Sequence, residues 1–235
     1  FYGLYSKGFR AGGFSGRAGT YEAASIPYDP ETVDNYELGV KSEWLSGRLR
    51  LNASIFTMDY NDKQEEGSVP TSQGTGQQTV VLNAAQATIQ GLEVDFNWLL
   101  TETFRLEGNL GLLDASFDEW IDPPTGTDLT YLKLRRAPDM TATVSPVFTF
   151  ELGNGVLTAR AAWHYVDDME YTILNSPQSQ AQAHSTFDAS IVYTLNNLSV
   201  SLWGLNLNDD DSWQQGYDVG TSVDFAGLWT YTAVR

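Results

Sequence analysis

Cysteine does not occur among the 235 residues, and histidine occurs only at His164 and His184. The first absence excludes disulfide frameworks, cysteine-ligated zinc and thiol catalysis. The second leaves two widely separated imidazoles, which do not make a metal site. Basic residues are also scarce: 13 Lys and Arg stand against 30 Asp and Glu, giving a formal charge of −17 and a pI near 4.2. Nucleic-acid affinity comes largely from neutralising phosphates with Lys and Arg, so a chain this acidic is not a DNA or RNA binder. Long apolar runs are missing as well, which excludes a transmembrane helix. A membrane protein built of strands is not excluded, because its hydrophobicity is spread over alternate positions, and the mean hydropathy of −0.28 does not decide the question.

What is present is aromatic: 7 Trp, 12 Tyr and 11 Phe, with 18% charged residues, a composition unlike that of a disordered acidic chain. The opening Phe1-Tyr2-Gly3-Leu4-Tyr5 reads as the middle of a strand rather than a signal peptide, so a piece of a longer protein is expected.

The periodicity is two almost throughout. Leu49, Leu51, Ala53 and Ile55 alternate with Arg48, Arg50, Asn52 and Ser54; Phe104, Leu106, Leu110 and Leu112 alternate with Arg105, Glu107, Asn109 and Gly111. The same pattern recurs around Met140–Leu152, Leu157–Tyr165 and Phe187–Leu195, and no stretch has a helical period. Nine strands are expected, over 1–9, 33–45, 48–60, 78–99 (with an interruption near Asn83), 103–118, 138–152, 156–168, 184–195 and 198–208. Short turns fall at Ser46-Gly47, Thr101-Glu102, Gly153-Asn154 and Asn196-Asn197, whereas 10–32, 61–78, 119–137, 169–184 and 209–230 read as long polar loops. Strict alternation of short and long connections is the habit of an antiparallel up-and-down barrel spanning an outer membrane.

A soluble β-sandwich also alternates apolar and polar residues. Three features favour the barrel. Strands of about ten residues match a tilted bilayer crossing. The apolar faces above carry no charge, while Glu37, Lys41, Arg48, Arg50, Glu93, Asp95, Arg105, Glu107, Arg160 and Asp188 lie on the opposite faces. Trp44, Trp98 and Phe104 sit near short turns, where an interfacial girdle belongs. An odd count of strands does not close a bacterial barrel, so residues 1–235 are expected to be part of a larger one.

Four stretches carry a family resemblance. Ser6-Lys7-Gly8-Phe9-Arg10-Ala11-Gly12-Gly13-Phe14, Tyr28-Asp29-Pro30-Glu31-Thr32-Val33-Asp34-Asn35-Tyr36-Glu37-Leu38-Gly39-Val40-Lys41-Ser42, Asn83-Ala84-Ala85-Gln86-Ala87-Thr88-Ile89-Gln90-Gly91-Leu92-Glu93 and Asn206-Leu207-Asn208-Asp209 resemble, in order, signature segments in the C-terminal part of the β-barrel of TonB-dependent outer-membrane receptors. Asn208 stands where that family usually has Thr. The resemblance implies an active importer with a barrel of about twenty-two strands around an N-terminal plug, energised by TonB, ExbB and ExbD. It implies an outer-membrane location among lipid and lipopolysaccharide, and a scarce ligand, most often a ferric siderophore. Oligosaccharides and vitamin B12 are other ligands of such receptors. A passive porin-like channel and a soluble carbohydrate-binding β-domain are the alternatives from other classes.

Glu37, Lys41, Glu43, Arg48, Arg50, Glu93, Arg105 and Glu107 are expected to form a lumenal lattice of charge that braces the wall. Arg10, Phe14, Arg17 and Tyr21 in the first long loop, and Trp120, Tyr131, Arg135 and Arg136 in the third, combine cations with aromatic faces and are the candidates for contact with an anionic, cyclic ligand. Lipopolysaccharide phosphate is the competing partner for those arginines. Tyr171, Trp213 and Tyr217 are placed at the mouth or in loop packing. Glu65-Glu66, Asp167-Asp168 and Asp209-Asp210-Asp211 offer oxygen ligands of the kind calcium takes but lack the spacing of a calcium loop, and solvated charge is the expected reading. No catalytic constellation is found, and neither an enzyme, a resident cofactor nor a structural metal is expected.

Overall fold

The computed structural model describes residues 1–70, 77–122, 126–177 and 180–212. Its elements are β1 (Tyr2–Arg10), β2 (Gly13–Phe14), α1 (Tyr21–Ala24), β3 (Pro27–Tyr28), β4 (Glu31–Trp44), β5 (Leu49–Pro70), β6 (Gln77–Leu99), β7 (Phe104–Trp120), β8 (Met140–Leu152), β9 (Gly155–Val166), β10 (Met169–Glu170), β11 (Gln180–Ala181), β12 (His184–Leu195) and β13 (Leu198–Gly204). Nine of the strands form one antiparallel sheet in the order β1-β4-β5-β6-β7-β8-β9-β12-β13, with each main strand beside its successor in the chain. This is the up-and-down wall of a barrel, open between β1 and β13 among the described residues.

All four short turns lie where turn-forming residues stand. Gly153 and Asn196 take φ of 61° and 50°, the left-handed conformation that two-residue hairpins need. The Thr101 hydroxyl accepts from the Phe104 N–H at 3.0 Å and closes the β6–β7 turn. Arg48 seals the same end of the sheet, donating from Nε to the Leu99 carbonyl at 3.0 Å and from its guanidinium to the Leu100 carbonyl.

Of the long segments, 61–78 and 10–32 differ most from the loops expected of them. Residues 61–70 and 77 onward are strand, so β5 and β6 run for 22 and 23 residues, well past the length a bilayer needs. Polar composition misleads there because the stretch is held by its backbone ladder and its polar side chains Gln64, Glu65 and Gln78 are buried against neighbouring segments. The expected break near Asn83 is a bulge, with register shifts between Tyr60, Lys63 and Gln64 and a left-handed Asp62 opposite. The first loop contains the β2–β3 pair and one turn of helix capped by Thr20, whose hydroxyl accepts from the Ala23 N–H. The last strand stops at Gly204 rather than at 208, and the chain turns back at Asn206.

Register across the sheet sorts the side chains. On one face the rows Trp44–Leu49–Trp98–Leu106, Val40–Ala53–Val94–Leu110–Ala142 and Leu38–Ile55–Leu92–Leu112–Met140 are apolar. The next row on that face is Tyr36–Thr57–Gln90–Asp114, and the one after it Asp34–Asp59–Thr88–Ser116. The other face changes in the opposite sense. Its row Lys41–Asn52–Asp95–Asn109–Thr143–His164–Thr186 is polar across seven strands, whereas Met58–Ile89–Ala115 and Tyr60–Ala87–Phe117 are apolar. Ile55 and Leu38, at 55% and 63% exposure, show how much apolar surface the first face leaves for a non-aqueous neighbour.

The two faces therefore exchange polarity at a single level of the sheet. Below that level the wall is apolar on one side and polar on the other. Above it the formerly polar side carries the main buried cluster: Ala85, Ala87, Phe117 and Trp120 packed with Leu132 and Leu134, the Phe117 and Trp120 rings 4.6 Å apart.

Candidate functional site

The polar face below the inversion holds a groove of about 470 Å³ lined by Tyr2, Glu37, Lys41, Asn52, Glu93 and Asp95, among others. Tyr2 donates its hydroxyl to Glu37 at 2.5 Å, and the Lys41 ammonium sits 5.5 Å from the Tyr2 ring centre. Gly39 makes room for that ring, because a Cβ there would lie 2.4 Å from it. Asn52 donates to Asp95 at 3.1 Å. Nearer the short turns, Arg50 pairs with Glu43 at 3.6 Å, and Glu107 lies between Arg105 at 2.6 Å and Arg160 at 3.9 Å, with Asn97 donating to it at 3.2 Å. His164 joins the same face, its Nε2 3.4 Å from Asp188. Eight expected lattice residues are thus distributed differently: Glu37, Lys41, Glu43, Arg50, Glu93, Arg105 and Glu107 share the polar face, while Arg48 is committed to backbone carbonyls at the turn.

Above the inversion, cationic side chains of the long segments converge on β5. Arg17 pairs with Glu66. Glu65, only 4% exposed, pairs with Lys63 and lies 3.8 Å from Arg135. Charged pairs this close to the protein interior leave little room for a free carboxylate, and both glutamates of the acidic doublet are balanced locally. Lys133 stands 3.6 Å from Asp168.

Of the ligand candidates, Arg10, Phe14 and Tyr21 are exposed, as is Tyr131. Trp120 is buried in the cluster beneath the 119–137 segment, where its ring packs the fold. Arg136 takes a left-handed φ of 57° and donates its N–H to the Glu170 carbonyl, so its backbone joins the two outer segments. Tyr171 is buried, and Trp213 and Tyr217 lie outside the described residues. Burial pushes the Glu170 carboxyl above the ordinary carboxylate range; Lys133 opposes this and Asp168 adds to it. No group of three or more His, Asp or Glu residues arranged to hold a metal occurs among the described residues.

Side-chain amides, which carry no charge, do much of the joining. Gln64, Gln78 and Asn83 each bind backbone groups of the first long segment more than fifty residues away. Their only sequence signal is the Asn83 stretch itself. The motif at Asn206–Asp209 acts in the same way at the far edge: Asn208 Oδ1 accepts from the Phe187 N–H at 2.9 Å, and its Nδ2 donates to the Ser185 carbonyl at 2.7 Å.

Comparison with known proteins places this geometry. The family model described as "TonB dependent receptor-like, beta-barrel" matches residues 1–207. The metal-pseudopaline receptor CntO of Pseudomonas aeruginosa is 29% identical over 206 residues, covering 87% of this chain and 26% of that receptor. The chain therefore spans about a quarter of the length of the curated relative. Among solved structures, the ferric yersiniabactin uptake receptor FyuA from Yersinia pestis superposes with a TM-score of 0.72 at 20% identity, over 94% of this chain and 31% of that one. The siderophore receptor PiuA from Acinetobacter baumannii does so with a TM-score of 0.63 at 19% identity, over 90% and 30%. At these identities the structural likeness speaks for the fold.

Proposed function

Because the chain belongs to the TonB-dependent receptor β-barrel family, we propose that it forms the C-terminal portion of the barrel wall of an outer-membrane importer for a metal chelate, with a ferric siderophore the leading ligand. Receptors of this family are transporters rather than enzymes. The apolar rows face acyl chains, the polar rows face a hydrated lumen and plug, and TonB with ExbB and ExbD supplies the energy through parts of the protein beyond this wall.

The observation that carries the reading is the exchange of polarity between faces at one level of four neighbouring strands. A strand leaving hydrocarbon for water has a reason to let its outer face turn polar: charge on the lipid face costs about 2–4 kcal/mol at the midplane and about 0–1 kcal/mol near the interface. The names of the relatives, a metal-pseudopaline receptor and receptors for ferric yersiniabactin and siderophores, support a metal chelate over a sugar. Such chelates commonly carry carboxylate or catecholate groups, for which Arg10 and Arg17, beside Phe14 and Tyr21, are the proposed contacts on the outer side.

Uptake of a panel of radiolabelled ferric chelates by iron-limited cells, with and without the gene, tests the reading. Chelate uptake that depends on both the gene and TonB supports it. Uptake independent of TonB would instead indicate a passive channel.

A further inference from the structure

Segment 11–30 leaves the sheet at the end of β1, yet it lies along the β5–β6 hairpin, held by polar side chains. Gln78 is buried, and its Oε1 accepts from the Gly19 N–H at 2.9 Å, the Thr20 N–H at 3.1 Å and the Thr20 hydroxyl at 3.3 Å. Gln64, 4% exposed, works with the opposite polarity: its Nε2 donates to the carbonyls of Asp29 at 3.0 Å, Ala11 at 3.1 Å and Arg10 at 3.5 Å. Its backbone N–H donates to Glu31 at 2.7 Å. Ser15 is buried and accepts from the Val81 N–H at 2.9 Å. Gly12 lets the two ends of the segment close on each other, since a Cβ there would stand 2.4 Å from the Tyr28 carbonyl oxygen.

We propose that Gln64 and Gln78 are positioning residues that fix segment 11–30 to the β5–β6 hairpin as one preassembled arm, so that Phe14 and Tyr21 are presented beside Arg10, at the end of β1, to an anionic organic ligand already in place rather than by a loop that folds on binding. The ligand half of this statement rests on the proposed function; the arm does not. Ordering a segment of this length at the moment of binding would consume interaction energy, because each residue fixed loses backbone freedom. The arm removes that cost in advance through buried bonds whose partners, if stranded, are expensive to leave unpaired.

The opposed polarities give a test that packing alone cannot imitate. Glutamate has the shape of glutamine but carries oxygen at both terminal positions. Gln78→Glu keeps the acceptor for Gly19 and Thr20, whereas Gln64→Glu turns an oxygen toward three carbonyl oxygens. Hydrogen–deuterium exchange on the full-length receptor in nanodiscs, read peptide by peptide, compares wild type with Q78E, Q78L, Q64E and Q64L. Peptides covering 11–30 should be protected in the wild type, and more in Q78E than in Q78L. In Q78L, Q64L and Q64E they should exchange about tenfold faster or more, while peptides of β8 and β9 stay unchanged. An unprotected segment in the wild type, or equal behaviour of Q64E and Q78E, overturns the proposal. Should Q64E fail to assemble, Q78E against Q78L decides alone. The exchange pattern does not depend on uptake, so a failed uptake experiment and a failed arm are distinguishable.

Discussion

Asn83 pairs with Asp29 as a neighbouring strand would: its Oδ1 accepts from the Asp29 N–H at 2.6 Å and its Nδ2 donates back to the Asp29 carbonyl at 2.8 Å. The same Nδ2 reaches the Asp62 carbonyl at 2.8 Å, at the bulge of β5. One amide thus ties together the bulge, the end of the first long segment and the start of a family motif. Asn83→Leu, which keeps the branching at Cγ and removes the bonds, should free the Asp29 amide and weaken this junction by about 1–3 kcal/mol. Exchange at Asp29, followed by mass spectrometry, reads the effect. An Asp29 amide as slow in the variant as in the wild type would show that the clasp carries no stability.

Gly91 stands where two surfaces close on the backbone. A Cβ there would lie 2.6 Å from the Leu112 carbonyl oxygen and 2.7 Å from the Phe56 ring. Gly91→Val should therefore cost about 1–3 kcal/mol through forced displacement. Adding Phe56→Ala should recover only part, since the carbonyl clash remains. Heat-modifiable gel mobility of the refolded receptor, titrated with urea, measures both.

Glu170 gives a pH dependence of definite sign. Its folded carboxyl titrates above the ordinary carboxylate range because it is buried. The folded segment therefore holds a proton that the unfolded one releases, and local stability falls as pH rises from the unfolded value through the folded one. The β10–β11 pair should be most protected at the acidic end of that window and loosen across it. Glu170→Gln should flatten the dependence. Protease nicking between residues 169 and 181 as a function of pH checks this, and a nicking rate that falls with rising pH contradicts it.

Charges on the polar face are expected to matter little to stability one at a time. Glu107 is partly exposed between Arg105 and Arg160, and pairs in such wet surroundings contribute about 0–1 kcal/mol. Glu107→Gln should stay within that range in urea titration. Leu51→Lys, on the apolar face within the band that runs from Leu49 to Ile55, should cost about 2–4 kcal/mol. Equal effects of the two substitutions would remove the distinction between the faces.

Much of this was legible in the sequence, and the exceptions have physical causes. The sheet could be read because Leu49–Ile55 and Phe104–Leu112 keep one phase of alternation across the apolar band. The polarity exchange was also written there, unread, as the adjacent apolar doublets Ile55-Phe56 and Leu112-Leu113, where the apolar residues move from one face to the other. The extension of β5 through Lys63, Gln64 and Glu65 left no alternating signal because both faces there are polar in sequence. The amide contacts of Gln64, Gln78 and Asn83 were invisible because they join side chains to backbone across long sequence separations. Trp120 shows a related effect: an aromatic next to polar loop residues reads as a ligand platform in the sequence, and the structure buries it under the folded loop.

The central claim is that the wall changes medium at the level between Leu112 and Asp114. Nitroxide labels placed singly from Leu110 to Ser116 in the receptor in lipid, with collision rates measured for oxygen and for a water-soluble nickel chelate, test it directly. The account has labels at Leu110 and Leu112 collide mainly with oxygen, and labels at Asp114 and Ser116, on the same face, mainly with nickel. A label at Gly111 more exposed to oxygen than one at Leu112, or no change of medium between Leu112 and Asp114, would contradict it.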